Sequence, residues 1–210
     1  MDYRSLPRIS NSDLSELKAD VFGEVREKPV KAFAFGSALH ELILEPNTIR
    51  ELPDVDLSLC MMLARQVRND KFCSWALRFS KKETVQLWED PETGLALKSK
   101  LDIVHKGRLV VDIKSTSCRT FTDFLASCEK YDYDRQAAFY LDAIGGKKFA
   151  FVAVQKVKPF NVWIVEHHTN GVFIESGRKK YRRLLREWKH RELIGQPFTP
   201  STWSHEPLPV

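Results

Sequence analysis

The chain has 210 residues, of which 43% are hydrophobic and 29% are charged, and these values are ordinary for a globular protein. This composition excludes a disordered, collagen-like or disulfide-stapled chain, and no run of 18 apolar residues is present that could span a membrane. The net charge of +5 permits a polyanionic partner without requiring one.

The length predicts a single domain over residues 1–210. The first residues lack the apolar segment of a secretory signal, so we expect a cytoplasmic protein with no membrane partner. The spacing of the cysteines fits no common zinc or iron–sulfur pattern. We therefore expect free thiols at all four positions, which are Cys60, Cys73, Cys118 and Cys128.

Hydrophobic periodicity and turn residues predict alternating helices and strands. Ser10 and Asp13 have the form of a capping box, and Gly145 with Gly146 ends a later helix. The expected helices cover residues 10–21, 35–44, 56–78 as two helices broken near 69–70, 120–130, 132–144 and 171–193. The expected strands cover residues 84–88, 95–104, 109–114, 149–154 and 162–165.

Short turns join the first three strands, which therefore form an antiparallel meander. Residues 149–154 are uninterruptedly apolar, as in a strand that is buried on both faces. We expect an α/β (α+β) fold with a mixed central sheet, an antiparallel β-meander and flanking helices.

Three polar residues on neighbouring strands carry the first functional signal. Residues two apart on a strand share a face, so Asp112 and Lys114 point the same way. A hairpin loop at residues 106–108 places Asp102 directly opposite Asp112, about 5 Å away. Two carboxylates at that distance need a cation between them, and oxygen ligands favour Mg²⁺ or Mn²⁺. This set suits phosphodiester hydrolysis, with lysine assisting the metal-activated water.

Two helical features add to this signal. Gln136 and Tyr140 are four residues apart and project from one helix face. His40, which follows Gly36 and Ser37, could supply a nitrogen ligand to the same metal. Each of these features is also common in structural roles, so the inference rests on their combination.

Gly36-Ser37-Ala38-Leu39-His40, Leu101-Asp102, Asp112-Ile113-Lys114 and Gln136-x-x-x-Tyr140 occur in the order of a known signature. They resemble the PD-(D/E)XK nuclease superfamily in its RecB-like branch, and above all the RecE-type (exonuclease VIII-like) recombination nucleases of prophages. The likeness runs from about residue 10 to residue 167. Leu101 stands where many members have proline, and position 112 is aspartate rather than glutamate.

The resemblance implies a Mg²⁺-dependent 5′→3′ exonuclease that acts on double-stranded DNA ends. It further implies a ring-shaped homo-oligomer and a single-strand annealing protein as partner. It assigns His40, Asp102, Asp112 and the Ile113 carbonyl to the metal. Lys114 becomes the catalytic lysine, and Gln136 and Tyr140 contact the substrate strand or position the lysine and water.

The last predicted helix is basic, with eight Lys and Arg residues and one acid between positions 178 and 191. An apolar stripe docks it, which leaves the charged face to bind the DNA backbone, to pair with acids on a neighbouring subunit or only to keep the protein soluble. The candidate DNA-binding residues are Arg178, Lys179, Arg182, Arg183 and Arg186.

Two other functions are compatible with the sequence. The same core could serve an endonuclease or a single-strand-specific nuclease, because fold does not determine substrate. A non-catalytic DNA-binding protein on this fold is the second alternative, and the complete set of Asp102, Asp112 and Lys114 argues against it.

Overall fold

A five-stranded sheet forms the centre of the protein in a computed structural model that describes residues 3–24, 30–46 and 55–203. The strands follow chain order across the sheet, and β3 pairs with β4 in parallel while the other neighbours are antiparallel. The strands are β1 Ser80–Glu89, β2 Ala96–His105, β3 Leu109–Thr116, β4 Lys148–Gln155 and β5 Val162–His168.

Helices cover both faces of this sheet. A short 3₁₀ helix, Ser201–Trp203, follows the last of them in the described part of the chain. The helices are α1 Asn11–Phe22, α2 Val30–Leu44, α3 Leu57–Asn69, α4 Lys71–Leu77, α5 Phe121–Lys130, α6 Tyr133–Ile144 and α7 Val172–Leu193.

Two hydrophobic clusters fill the space between the sheet and its helices. One cluster joins α1, α5, α6 and α7 to one face, and Phe149 and Phe151 of β4 lie in it. The other joins α2, α3 and α4 to the opposite face through Val111, Ile113 and Val152. Alternate residues of β3 and β4 therefore pack against helices on opposite faces of the sheet. This explains why both strands are apolar almost throughout.

The predicted fold class is confirmed, and so is the antiparallel meander of β1, β2 and β3. The capping box of Ser10 and Asp13 opens α1, and Gly145 ends α6 in the left-handed region. Three elements exceed a predicted end by three residues or more: α2 starts at Val30, β1 starts at Ser80 and β5 continues to His168.

The pairing of α6 with α7 depends on Gly177. A Cβ atom at this position would lie 1.9 Å from the backbone oxygen of Asp134. The absence of a side chain therefore lets the two helices approach closely.

All four cysteines are free thiols. Among the described helices, none combines the length and the apolar composition needed to cross a membrane.

Candidate active site

The site lies toward the carboxyl end of β3, where Asp112 and Lys114 project from one face. The Lys114 Nζ atom lies 2.6 Å from Asp112 Oδ2, so the two residues form an ion pair. Their side chains therefore point to the same face of β3, as predicted. Asp112 is 3% exposed. Burial disfavours the charge on Lys114, but Asp112, Tyr133 and Asp102 together outweigh burial and leave the Lys114 pKa above its ordinary value.

Asp102 lies on β2, where the sheet opens. Backbone pairing of β2 with β3 ends at Ile103 and Val111, one step before Asp102 and Asp112 would meet. The Asp102 carboxylate accepts a hydrogen bond of 2.8 Å from the Ile113 N–H instead. A side chain thus replaces the next backbone contact and brings both carboxylates to the opening.

The charge on Asp102 is costly in this position. Burial raises its pKa to about 6, although the adjacent His40 lowers it, and the charge of Asp112 raises it further. A buried carboxyl group whose pKa is raised, in part by the charge of a second carboxylate, indicates a place built for additional positive charge.

His40 reaches the site from α2, on the opposite side of the sheet from α6. Its Nε2 atom lies 2.6 Å from the Ile113 carbonyl oxygen, and its Nδ1 atom lies 3.4 Å from Asp102 Oδ2. Each ring nitrogen therefore faces an oxygen acceptor. A neutral imidazole carries only one N–H, so it could donate to only one of them.

Helix α6 supplies the remaining polar groups. The Gln136 side-chain amide donates a 3.1 Å hydrogen bond to Asp112 Oδ1 and fixes the orientation of this carboxylate. Tyr140 lies on the same helix face, where burial and the Asp112 charge raise its pKa, so the phenol stays protonated. The structure thus brings together all the residues that sequence reasoning assigned to the site.

Sequence reasoning missed one neighbour, Tyr133, whose ring centroid lies 4.9 Å from Lys114 Nζ. Tyr133 precedes Gln136 by three residues and Tyr140 by seven. This spacing places all three on one helix face, and helical periodicity alone could have found it.

Metal binding can be tested against the donor types of this site. Carboxylate and carbonyl oxygens with one imidazole suit a hard divalent ion such as Mg²⁺ or Mn²⁺. Within residues 3–24, 30–46 and 55–203, however, no three His, Cys, Asp or Glu side chains form a preassembled metal cluster. The Asp112 and His40 donors contact Lys114 and the Ile113 carbonyl instead. The donor types fit a hard divalent ion, whereas the positions of these side chains are set by contacts within the protein.

The basic face of α7 is smaller than predicted. The expectation that Arg178 is exposed is wrong, since its side chain is 15% exposed. Its guanidinium donates to Asp142, Glu175 and the Thr169 backbone, which ties α7 to α6. The remaining candidates are exposed, although one of them pairs with Glu92. These residues, which we call the α7 basic face, are Lys179, Arg182, Arg183 and Arg186.

If the α7 basic face lines the path of DNA, replacing Arg182 and Arg183 by alanine should weaken duplex binding equally for all sequences. Each lost phosphate contact should reduce the slope of log affinity against log salt by about one unit. Fluorescence anisotropy across a salt series measures this slope. The matched control is Arg65→Ala with Lys71→Ala, which removes two exposed charges from the opposite layer. An unchanged slope in the α7 variant would indicate that the α7 basic face does not contact DNA phosphates and only keeps the protein soluble.

The mixed sheet, the opened β2–β3 hairpin and the Asp102, Asp112 and Lys114 set define a PD-(D/E)XK-type protein, as the sequence predicted. Residues 10–192 match the family described as PDDEXK-like domain of unknown function (DUF3799), and the chain belongs to this family. No curated protein matches the sequence significantly.

Solved structures with a similar fold are also known. A Eubacterium rectale protein named as an exonuclease has a TM-score of 0.67 and 15% identity over 94% of this chain and 84% of that chain. A phage-related exonuclease of Haemophilus somnus has a TM-score of 0.49 and 14% identity, over 88% and 82% of the two chains. For an alkaline exonuclease of Laribacter hongkongensis these values are 0.48 and 10%, over 91% and 92%. The E. rectale protein supports the fold alone.

Proposed function

We propose that this protein is a metal-dependent exodeoxyribonuclease that hydrolyses phosphodiester bonds from double-stranded DNA ends. The observation that carries the proposal is the convergence of Asp102, Asp112 and Lys114 at the opening of the sheet, with Lys114 Nζ 2.6 Å from Asp112. Membership of a PDDEXK-like family supports the same reaction class.

In this proposal Asp102, Asp112, His40 and the Ile113 carbonyl hold Mg²⁺ or Mn²⁺. When bound, the metal would activate a water molecule and neutralise charge on the scissile phosphate. Lys114, held beside Asp112, orients that water and stabilises the developing negative charge.

Residues on α6 complete the proposed machinery. Gln136 keeps the Asp112 carboxylate in one orientation through its 3.1 Å hydrogen bond. Tyr140 remains a neutral phenol because burial raises its pKa, so it can donate a hydrogen bond to the substrate strand.

The finer details of the proposal come from the resemblance of the motifs to RecE-type nucleases. They are 5′→3′ polarity, a role in phage-type homologous recombination, assembly into a homo-oligomeric ring and cooperation with a single-strand annealing protein. A cytoplasmic location is a separate part of the proposal. The α7 basic face supports a nucleic-acid substrate because its exposed cations can contact phosphates.

Digestion of linear duplex DNA labelled at the 5′ or 3′ end, with Mg²⁺ or EDTA, tests the proposal. Early release of the 5′ label as mononucleotides, only with Mg²⁺, is the expected result. Cleavage of closed circular DNA would indicate an endonuclease, and activity restricted to single strands would indicate a single-strand-specific nuclease. Absence of cleavage in Mg²⁺ and Mn²⁺ would contradict the proposal. Light scattering of the native particle measures the subunit number.

A further inference from the structure

An aromatic side chain lies directly beside the candidate catalytic lysine. The Tyr133 ring is half-buried and packs against Phe151, with 5.5 Å between ring centroids. Its face lies 4.9 Å from Lys114 Nζ. Lys114 is thus held between the Asp112 carboxylate and an aromatic face, both of which attract a cation.

A second tyrosine extends this aromatic surface to the solvent. The Tyr131 ring lies 5.9 Å from the Tyr133 ring, at an angle of 33°. Tyr131 is 56% exposed, and Lys130 Nζ lies 5.4 Å from its ring centroid. Tyr131 and Tyr133 therefore form a continuous aromatic step, with Lys114 at its inner end and Lys130 at its outer end.

The backbone between the two tyrosines is fixed in an uncommon conformation. Asp132 has φ of 51°, a left-handed value that a residue with a side chain seldom adopts. Its buried carboxylate lies 2.6 Å from Lys18 Nζ and 3.0 Å from Lys180 Nζ. These ion pairs to α1 and α7 hold the backbone of the turn that carries both tyrosines.

We infer that the aromatic step binds an unpaired nucleobase of the strand being cut, with Tyr131 stacking on the base. This inference rests on the proposed function. A nucleobase next to the phosphate at Lys114 would lie over the step, and the two flanking lysines suit the phosphates on either side. Stacking on an aromatic ring accepts every base, as a nuclease without sequence preference requires.

The inference also specifies the substrate more closely. A base inside a duplex is covered by its neighbours, and its face cannot stack on a protein ring. Because the inference places an unpaired base on the aromatic step, it requires the terminal nucleotide to separate from its complement before cleavage. A duplex with a mismatched end should be cut faster than a fully paired one, and this advantage should depend on Tyr131.

The test uses a phosphorothioate-linked single strand, which resists cleavage, with 2-aminopurine at the second position from either end. Binding is measured in Ca²⁺, an ion that also takes oxygen ligands. The native protein and Tyr131→Phe should quench the fluorescence. Tyr131→Ala should quench less and bind roughly 5- to 100-fold more weakly, the range found when a stacking aromatic residue is replaced by alanine.

The matched control is Phe79→Ala, because Phe79 is exposed and lies before β1, beside the amino end of β3. This control should bind and quench as the native protein does. Equal quenching and affinity in Tyr131→Ala and the native protein would overturn the inference, even if the native protein cleaves DNA normally. Absence of cleavage by the native protein would instead count against the proposed function, and thermal melting identifies any misfolded variant.

Discussion

Asp112→Asn is expected to lose at least roughly 1,000-fold of the cleavage rate in Mg²⁺, because it removes a charged ligand worth several kcal/mol of transition-state stabilisation. Asp102→Asn should show a similar loss. Both variants should fold, since asparagine keeps the shape and can still accept the hydrogen bonds from Gln136 and Ile113. Initial rates on end-labelled duplex DNA, with circular dichroism as a folding control, measure the effect. Near-native cleavage by either variant would contradict the assignment of the site.

The same carboxylate gives a stability prediction for the metal-free protein. The pKa of Asp102 is raised to about 6 in the folded state, from 3.8. The folded protein therefore binds this proton more tightly than the unfolded chain, and stability falls as the pH rises from about 4 to 6. Asp102→Asn cannot ionise, so in EDTA it should melt at a higher temperature than the native protein at pH 7.

This advantage of Asp102→Asn should shrink as the pH falls below 6, because the native carboxyl then becomes neutral as well. Melting curves of both proteins in EDTA across this range check the prediction. An advantage that grows toward low pH would mean that Asp102 is stabilised as the charged form. Excess Mg²⁺ should reverse the order at pH 7 if the native site binds the metal.

Local sequence signals predicted the element order well. The capping box at Ser10, the glycine at position 145 and the turn at residues 90–94 depend on residues that are adjacent in the chain. Such features act through nearby backbone groups, so they can be read without knowledge of the fold. The limits of β1 and β5 were less predictable, because pairing with a neighbouring strand extends a strand beyond its own apolar pattern.

Charge and contact across the fold were harder to predict. Arg178 belongs to a basic run and was expected to be exposed, yet it pairs with Asp142, 36 residues earlier on another helix. The parallel pairing of β3 with β4 and the approach of His40 to Ile113 likewise join distant segments. The Asp102, Asp112 and Lys114 set was predictable because the β2–β3 hairpin is local and its register follows from the turn.

Lys114→Ala is expected to lower kcat by roughly 100- to 1,000-fold, the range found when one electrostatic donor to a transition state is removed. Lys114 Nζ lies 2.6 Å from Asp112 Oδ2, so the variant also frees this carboxylate from its cation. Metal affinity should therefore remain equal or increase, and a loss of metal cannot explain the lower rate. Calorimetric titration with Mg²⁺ and single-turnover cleavage measure the two effects separately.

Arginine should not restore the activity of this position. The Lys114 side chain is 18% exposed and lies between Asp112 and the Tyr133 ring, and this space fits a compact ammonium better than a broad planar guanidinium. Lys114→Arg should thus bind DNA but cleave slowly. Native kcat in Lys114→Ala, together with normal metal binding, would show that the Asp-x-Lys pattern is a largely buried ion pair without a catalytic role. A low rate caused only by weaker metal binding would instead make Lys114 a structural support of the metal ligands.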